Sequence, residues 1–137
     1  MLAFSRSGEH GGLWQALCLV GMALDPGRRR FYRRVMGTVM RAYLANIALK
    51  YVVRRRRPVL EGAPPLTTTV TGLAYPSAHS TTSFAAAGAL SRELPAGPLY
   101  ALAALMAISR PYAGVHYPSD IVAGALFGSA LAELRAP

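Results

Sequence analysis

The sequence predicts an all-α fold, a polytopic membrane helix bundle of about five helices, and two observations carry that expectation. Hydrophobic residues make up 53% of the 137-residue chain and charged residues only 15%, against about 25% charged in ordinary soluble domains. The apolar residues also gather in runs separated by Pro, Gly and Arg clusters, the pattern of helices joined by turns rather than of alternating strands. The length fits one domain, residues 1–137.

The first run covers residues 11–24 and stops at the turn signal Asp25-Pro26-Gly27, ahead of the basic block Arg28 to Arg30 with Arg33 and Arg34. The second, 35–53, is the longest; Arg41, Asn46 and Lys50 interrupt it, and Arg54 to Arg57 followed by Pro58 end it. A Pro-, Gly- and Thr-rich loop follows at 59–76. The third run is 80–90, the fourth 96–109, and the fifth, after a loop at 110–119, is 121–134. Only the second approaches the roughly 20 residues that a bilayer core demands. Five in succession, with Gly and Ala recurring in the last three, favour a membrane bundle whose helices approach closely. Arg41 is costly inside such a run; it either snorkels toward the side of Arg33 and Arg34 or pairs with Glu9 or Glu133.

Fifteen basic residues against six acidic ones give a net charge of +9. Most of the excess is arginine clustered between apolar runs, which points to a membrane partner and not to a nucleic acid. The single cysteine, Cys18, lies inside an apolar run as a small buried hydrophobe, so no disulfide framework and no cysteine metal site is expected. The polar start of the chain does not resemble a cleavable signal peptide.

Counting crossings brings Lys50, Arg57, Ser77, His79, Arg110, His116 and Asp120 to one side. The three cations offer forks and a point charge suited to phosphate oxygens. Ser77 is a plausible N-cap for a helix opening near His79, and free N–H groups at such a start favour an anion. If a helix begins at Pro118, Asp120 falls in its first turn and reaches back to His116. A carboxylate on one imidazole nitrogen leaves the other free to attack, and the second histidine then protonates the leaving alcohol. With fixed cations stabilising charge, the chemistry needs no metal and no cofactor.

These residues stand as Lys50, six residues, Arg57-Pro58; Pro76-Ser77-Ala78-His79; and Ser109-Arg110, five residues, His116, three residues, Asp120. The set resembles the type 2 phosphatidic acid phosphatase (PAP2) superfamily, which shares its phosphate pocket with vanadium haloperoxidases. The resemblance implies His116 as nucleophile, Asp120 as its orienting partner and His79 as general acid. Lys50, Arg57, Ser77, Ala78 and Arg110 would bind substrate phosphate. The family pattern usually has glycine where Ala78 stands, and the family is often built from six helices. Residues 5–11, 46–58 and 75–87 are also similar to actinobacterial phosphatases of decaprenylphosphoryl-5-phosphoribose.

The resemblance therefore implies an integral membrane lipid-phosphate phosphatase acting on a polyprenyl-phosphoribose 5-phosphate in cell-wall arabinan synthesis. Undecaprenyl-diphosphate, phosphatidylglycerophosphate or phosphatidic acid stand as alternative substrates, with a vanadate-dependent oxidative enzyme and a non-catalytic anionic-lipid binder as other classes. The expected location is the plasma membrane, with Arg28 to Arg34 cytoplasmic and the site facing outward. Arg54, Arg55 and Arg56 are expected to meet lipid headgroups, Tyr112 and Tyr117 to anchor at the interface, and Glu9 and His10 either to border the pocket or to be solvated.

Overall fold

The computed structural model describes residues 2–59, 62, 64–67, 69 and 71–134. Six α-helices follow one another: α1 (Leu2–Ser7), α2 (Gly12–Leu24), α3 (Arg29–Val53), α4 (Ala78–Leu90), α5 (Ala96–Tyr112) and α6 (Pro118–Glu133), with single 3₁₀ turns at Glu9–Gly11 and Pro26–Arg28. The described residues hold no strand, and one isolated antiparallel bridge joins Arg56 to Leu73. The all-α expectation holds, and the five apolar runs coincide with α2 to α6. Residues 60, 61, 63, 68 and 70 of the expected loop lie outside the described residues.

Two features differ from the sequence reading. α3 begins at Arg29 rather than near residue 35, because arginine is a good helix former and the turn at Pro26 releases the chain directly into a helix. The polar start folds into α1, which hydropathy alone does not mark.

α4 is the hub and packs against α3, α5 and α6. Its sequence of Ala, Ser, Thr and Gly leaves only Ala78 and Phe84 outside the fully buried set. Such a helix is stable inside because its hydroxyls are satisfied. Thr81 Oγ1 donates to the Ser77 carbonyl (3.0 Å), Thr82 Oγ1 to that of Ala78 (2.9 Å) and Ser80 Oγ to that of Ile121 (2.7 Å). Asn46 Nδ2 reaches Thr81 Oγ1 (2.9 Å), and Trp14 Nε1 reaches Ser83 Oγ (2.9 Å).

α6 presents Asp120, Gly124, Gly128 and Ala132 to this hub, a four-residue spacing on one helical face. A Cβ at Gly124 would stand 2.7 Å from the Ser77 carbonyl oxygen, and one at Gly128 would collide with that of Thr81. Glycine thus sets the close approach that joins the starts of α4 and α6, where Ser77 N donates to the Asp120 carbonyl (3.0 Å). At the other half of the bundle, Trp14, Cys18, Tyr32, Val35 and Val39 pack on Ala86, Ala87, Leu90 and Ala103.

The surface is the inverse of the interior. Leu17, Leu19 and Val20 of α2, Met40 and Leu44 of α3, Leu105 and Ile108 of α5, and Val122 and Leu126 of α6 are exposed. Even so, no helix among the described residues is long and apolar enough to cross a membrane. α2 and α4, at 13 residues each, reach only about 20 Å against the roughly 30 Å of a hydrocarbon core. α3 has 25 residues but carries Arg29, Arg30, Arg33, Arg34, Arg41 and Lys50. Arg41 bends back toward the Arg34 end, its Nη2 on Thr38 Oγ1 at 3.1 Å. That is the snorkelling direction, and neither Glu9 nor Glu133 pairs with it.

Candidate active site

Lys50 faces inward one turn before α3 ends. Arg54 then adopts a left-handed conformation (φ 55°), its N–H closing on the Lys50 carbonyl at 2.8 Å, and the chain reverses. Residues 55 and 56 run beside 73 and 74, tied by Ala74 N on the Arg55 carbonyl (2.7 Å) and by the Arg56–Leu73 bridge. This return brings both cations of the first motif together. The Lys50 ammonium donates to the carbonyls of Leu73 and Ala74, each at 3.2 Å, and among the described residues its third donor is unused. Arg57 is clamped by Nε on the Thr71 carbonyl (2.9 Å) and Nη1 on the Val115 carbonyl (2.7 Å).

The second motif opens α4 as expected. Ser77 is the N-cap, its Oγ accepting from Ser80 N at 3.4 Å. Ala78 is the first helical residue, and its φ is not positive: His10 and Arg54 alone hold positive φ among the described non-glycine residues. The freedom of glycine is therefore not needed there, and alanine is accommodated. His79 Nε2 lies 3.0 Å from the Ser5 carbonyl. A carbonyl only accepts, so Nε2 carries a proton.

In the third motif Arg110, 3% exposed near the end of α5, donates through Nη1 to Ser5 Oγ (2.6 Å), and its buried Nε has no hydrogen-bond partner among the described residues. Pro118 starts α6, and Asp120 sits in its first turn with Oδ2 accepting from Tyr117 N (2.8 Å). Arg57 Nη1 is 3.1 Å from His116 Nε2. Guanidinium only donates, so Nε2 is the nitrogen with the lone pair, and Nδ1 bears the proton facing Asp120. Nδ1 and Oδ2 are 3.5 Å apart, an ion-pair distance, and Nδ1 makes no hydrogen bond. Closing by roughly half an ångström would make one.

Lys50, Arg57, Ala78, His79, Arg110 and His116 line one open cleft. Of the eight residues singled out from sequence, these six meet there. Ser77 and Asp120, both 0% exposed, stand behind them.

Electrostatics define what fits. None of the three cations lies within ion-pair distance of a carboxylate among the described residues. Burial, with the Arg110 charge, pushes the Arg57 guanidinium down to about 10, leaving it charged at neutral pH. Burial pushes His116 down to about 4; Asp120 opposes this, while Arg57, Lys50 and Arg110 add to it. His116 is therefore neutral at physiological pH, its Nε2 lone pair held by Arg57 Nη1. Lys50 and Arg110 are buried and Arg57 half-buried, and the carboxylates of Glu9 and Asp120 act on them only from beyond ion-pair distance. Partly compensated cations of this kind are costly, and a tetrahedral oxyanion in their midst relieves that cost.

Sequence reasoning missed two contributors. Ser5 holds both His79 and Arg110, contacts across most of the chain that no local pattern encodes. Arg55 donates through Nη1 to Asp120 Oδ1 (3.0 Å) and Ser119 Oγ (2.8 Å), and its guanidinium lies 4.2 Å over the Tyr117 ring. Arg55 and Tyr117, expected at the lipid surface, thus sit at the back of the site. Tyr112 is 61% exposed. Glu9 and His10 line the cleft.

The PAP2 superfamily pattern matches residues 31–135, a span containing all three motifs. This chain belongs to the PAP2 superfamily. It is 40% identical over 124 residues to the decaprenylphosphoryl-5-phosphoribose phosphatase of Mycolicibacterium smegmatis, covering 89% of this chain and 68% of that protein. With the Mycobacterium tuberculosis protein of the same name it shares 34% identity over 138 residues, covering 98% of this chain and 78% of the relative. The fold is that of the crystal structure of Aquifex aeolicus LpxE, with TM-score 0.77, 24% identity, and coverage of 96% of this chain and 79% of the other. The Bacillus subtilis transmembrane PAP2 type phosphatidylglycerolphosphate phosphatase gives TM-score 0.78 and 24% identity, over 97% and 71% of the two chains. Residues 2–30 of this PAP2 chain, Ser5 included, lie ahead of the matched span.

Proposed function

We propose that this PAP2 protein is a membrane-embedded lipid-phosphate phosphatase that hydrolyses a phosphate monoester through a phosphohistidine intermediate. The observation that carries the reading is the convergence of three cations, none in an ion pair among the described residues, on one cleft lined also by a neutral imidazole whose Nε2 lone pair is held by Arg57. A dianionic phosphate supplies the missing charge. His116 Nε2, released as the Arg57 guanidinium turns to the phosphate, attacks phosphorus in line as the P–O bond to the alcohol breaks. Burial and the neighbouring cations hold His79 neutral; the bound phosphate dianion offsets those charges, and the imidazolium it favours gives the proton on its second ring nitrogen to the departing oxygen while Nε2 stays on Ser5. Asp120 stabilises the imidazolium character that develops on His116. Water then attacks the phosphohistidine, with His79 taking its proton; the P–N bond breaks and orthophosphate leaves. Lys50, Arg57, Arg110 and the Ala78 N–H hold the phosphoryl oxygens throughout, and Ser77 fixes the start of α4 that presents this N–H.

A polyprenyl-phosphoribose 5-phosphate is the proposed substrate, supported by two relatives so named at 40% and 34% identity over most of the chain. Membrane embedding is supported by the aliphatic exterior around a small, hydroxyl-rich interior. Arg28 to Arg34 gather at the end of the bundle away from the cleft, which favours a cytoplasmic position for them and an outward-facing site. A pure binder of anionic lipid has no use for the His116–Asp120 pair or for His79.

The test is phosphate release by purified protein from polyprenyl-phosphoribose phosphate, polyprenyl diphosphate, phosphatidylglycerophosphate and phosphatidic acid without added metal. The expected result is turnover with preference for the first, lost in a folded His116→Ala variant. Vesicle binding with no phosphate release from any of them contradicts the reading.

A further inference from the structure

The N-terminal segment forms one wall of the cleft, and it is the wall on the acid's side. Ser5 holds His79 through its carbonyl. Gly8 backs the same ring so closely that a Cβ there would stand 2.7 Å from His79 Cδ2. This wall borders the same cleft as the phosphate-binding cations, so the part of a substrate that leaves the cleft on this side runs along it. Beyond Gly8 the wall continues as Glu9 and His10, with Tyr43 behind.

Glu9 is an acidic group in the lining of a cleft shared with Lys50, Arg57 and Arg110. Its charge offsets part of that of Arg110, yet its carboxylate oxygens make no ion pair or hydrogen bond among the described residues and stay free to accept from a ligand. Its charge repels an incoming phosphate dianion, so its presence calls for a different ligand group. A carboxylate there has only acceptors to offer. His10 is held beside it in a left-handed conformation (φ 55°), its ring edge-on to Tyr43 at 5.3 Å. Positive φ at a non-glycine residue is uncommon, and the exposed imidazole lines the cleft against Tyr43.

We propose that Glu9 and His10 form a subsite for the hydroxyl groups of the leaving alcohol, selecting phosphate monoesters of polyhydroxylated (sugar-like) alcohols over those of fully acylated glycerol. The hydroxyls donate to the Glu9 carboxylate and exchange hydrogen bonds with His10, while the three cations take the phosphate. This inference rests on the phosphatase reading and specifies what the same site recognises.

The experiment compares kcat/KM of purified full-length protein on a polyprenylphosphoryl ribose 5-phosphate and on phosphatidic acid, whose leaving alcohol has no free hydroxyl. Variants are Glu9→Gln and Glu9→Ala, with His10→Asn chosen because asparagine tolerates the left-handed backbone. The ratio of the two kcat/KM values falls by about 10- to 100-fold in the Glu9 variants, the worth of a charged hydrogen bond. It falls less in His10→Asn. Removing an anion beside Arg110 acts in the opposite direction on phosphate affinity, so the change in ratio is not a general loss of activity. An unchanged ratio, with both substrates falling together or neither falling, overturns the subsite alone. Wild-type protein that releases phosphate from neither lipid overturns the phosphatase reading as well.

Discussion

Removing Arg55 isolates what holds His116, the proposed nucleophile, in place. Asp120 is fully buried; its Oδ1 is bound by Arg55 at 3.0 Å, and its Oδ2 is shared between Tyr117 N at 2.8 Å and His116 Nδ1 at 3.5 Å. In Arg55→Ala the carboxylate loses the contact that sets its rotation, and Oδ1 is left with no partner among the described residues. Hydrogen bonds to charged groups are worth about 1.5–3 kcal/mol. The Arg55 side chain is 38% exposed, so the lower end applies. About 1.4 kcal/mol lost from the transition state is tenfold in rate, so kcat/KM is expected to fall roughly tenfold. The pH dependence has a definite sign. Without Arg55 the Asp120 charge acts unopposed on His116, favours its protonated form, and moves the acid limb of kcat/KM upward from the neighbourhood of pH 4 set by burial. Arg55→Lys restores the charge without the fork to Ser119 or the stacking on Tyr117, and recovers part of the activity. Phosphate release between pH 3.5 and 8, with tryptophan fluorescence to confirm folding, measures both effects. An Arg55→Ala enzyme with wild-type kcat/KM and an unmoved acid limb would refute the positioning argument; a loss without any pH shift would reduce Arg55 to a packing role.

Other expectations come from the same geometry. Gly128→Val drives a side chain into the Thr81 carbonyl and is expected to destabilise by about 3 kcal/mol or more, the upper end for overpacking against backbone, seen as a lower thermal midpoint and loss of activity together. Gly8→Ala places a Cβ 2.7 Å from His79 Cδ2; displacing the acid slows turnover of alkyl phosphates more than of p-nitrophenyl phosphate, whose leaving group needs no proton. His116, neutral in the folded state down to about pH 4 against an ordinary 6.5, binds fewer protons folded than unfolded, so stability rises with pH across that window. It contributes roughly 2–4 kcal/mol above pH 6.5 that is lost as pH falls to 4, and denaturant melts of His116→Gln should show a correspondingly flatter acid profile.

Much of this was legible in the sequence because it is written in local signals. Apolar runs bounded by Asp25-Pro26-Gly27, Pro58 and Pro95 locate α2 to α5, Ser77 announces the start of α4, and Pro118 that of α6. The three motifs converge because successive helices alternate direction, which depends on order alone. What was not legible depends on folding at a distance. Arg55 is indistinguishable from Arg54 and Arg56 until the left-handed turn at Arg54 aims it at α6. Ser5 belongs to a short polar helix, and its partners His79 and Arg110 stand 74 and 105 positions away. The spanning character expected from hydropathy is not carried by any single helix among the described residues, since basic side chains interrupt the one that is long enough.

The central claim, that His116 becomes phosphorylated, is tested most directly by rapid acid-free quench of the protein during turnover of ³²P-labelled lipid phosphate, followed by peptide mapping. The account predicts transient label on His116, labile in acid and stable in base, and none in His116→Ala. Steady turnover with no label on His116, or with acid-stable label on another side chain, would contradict it.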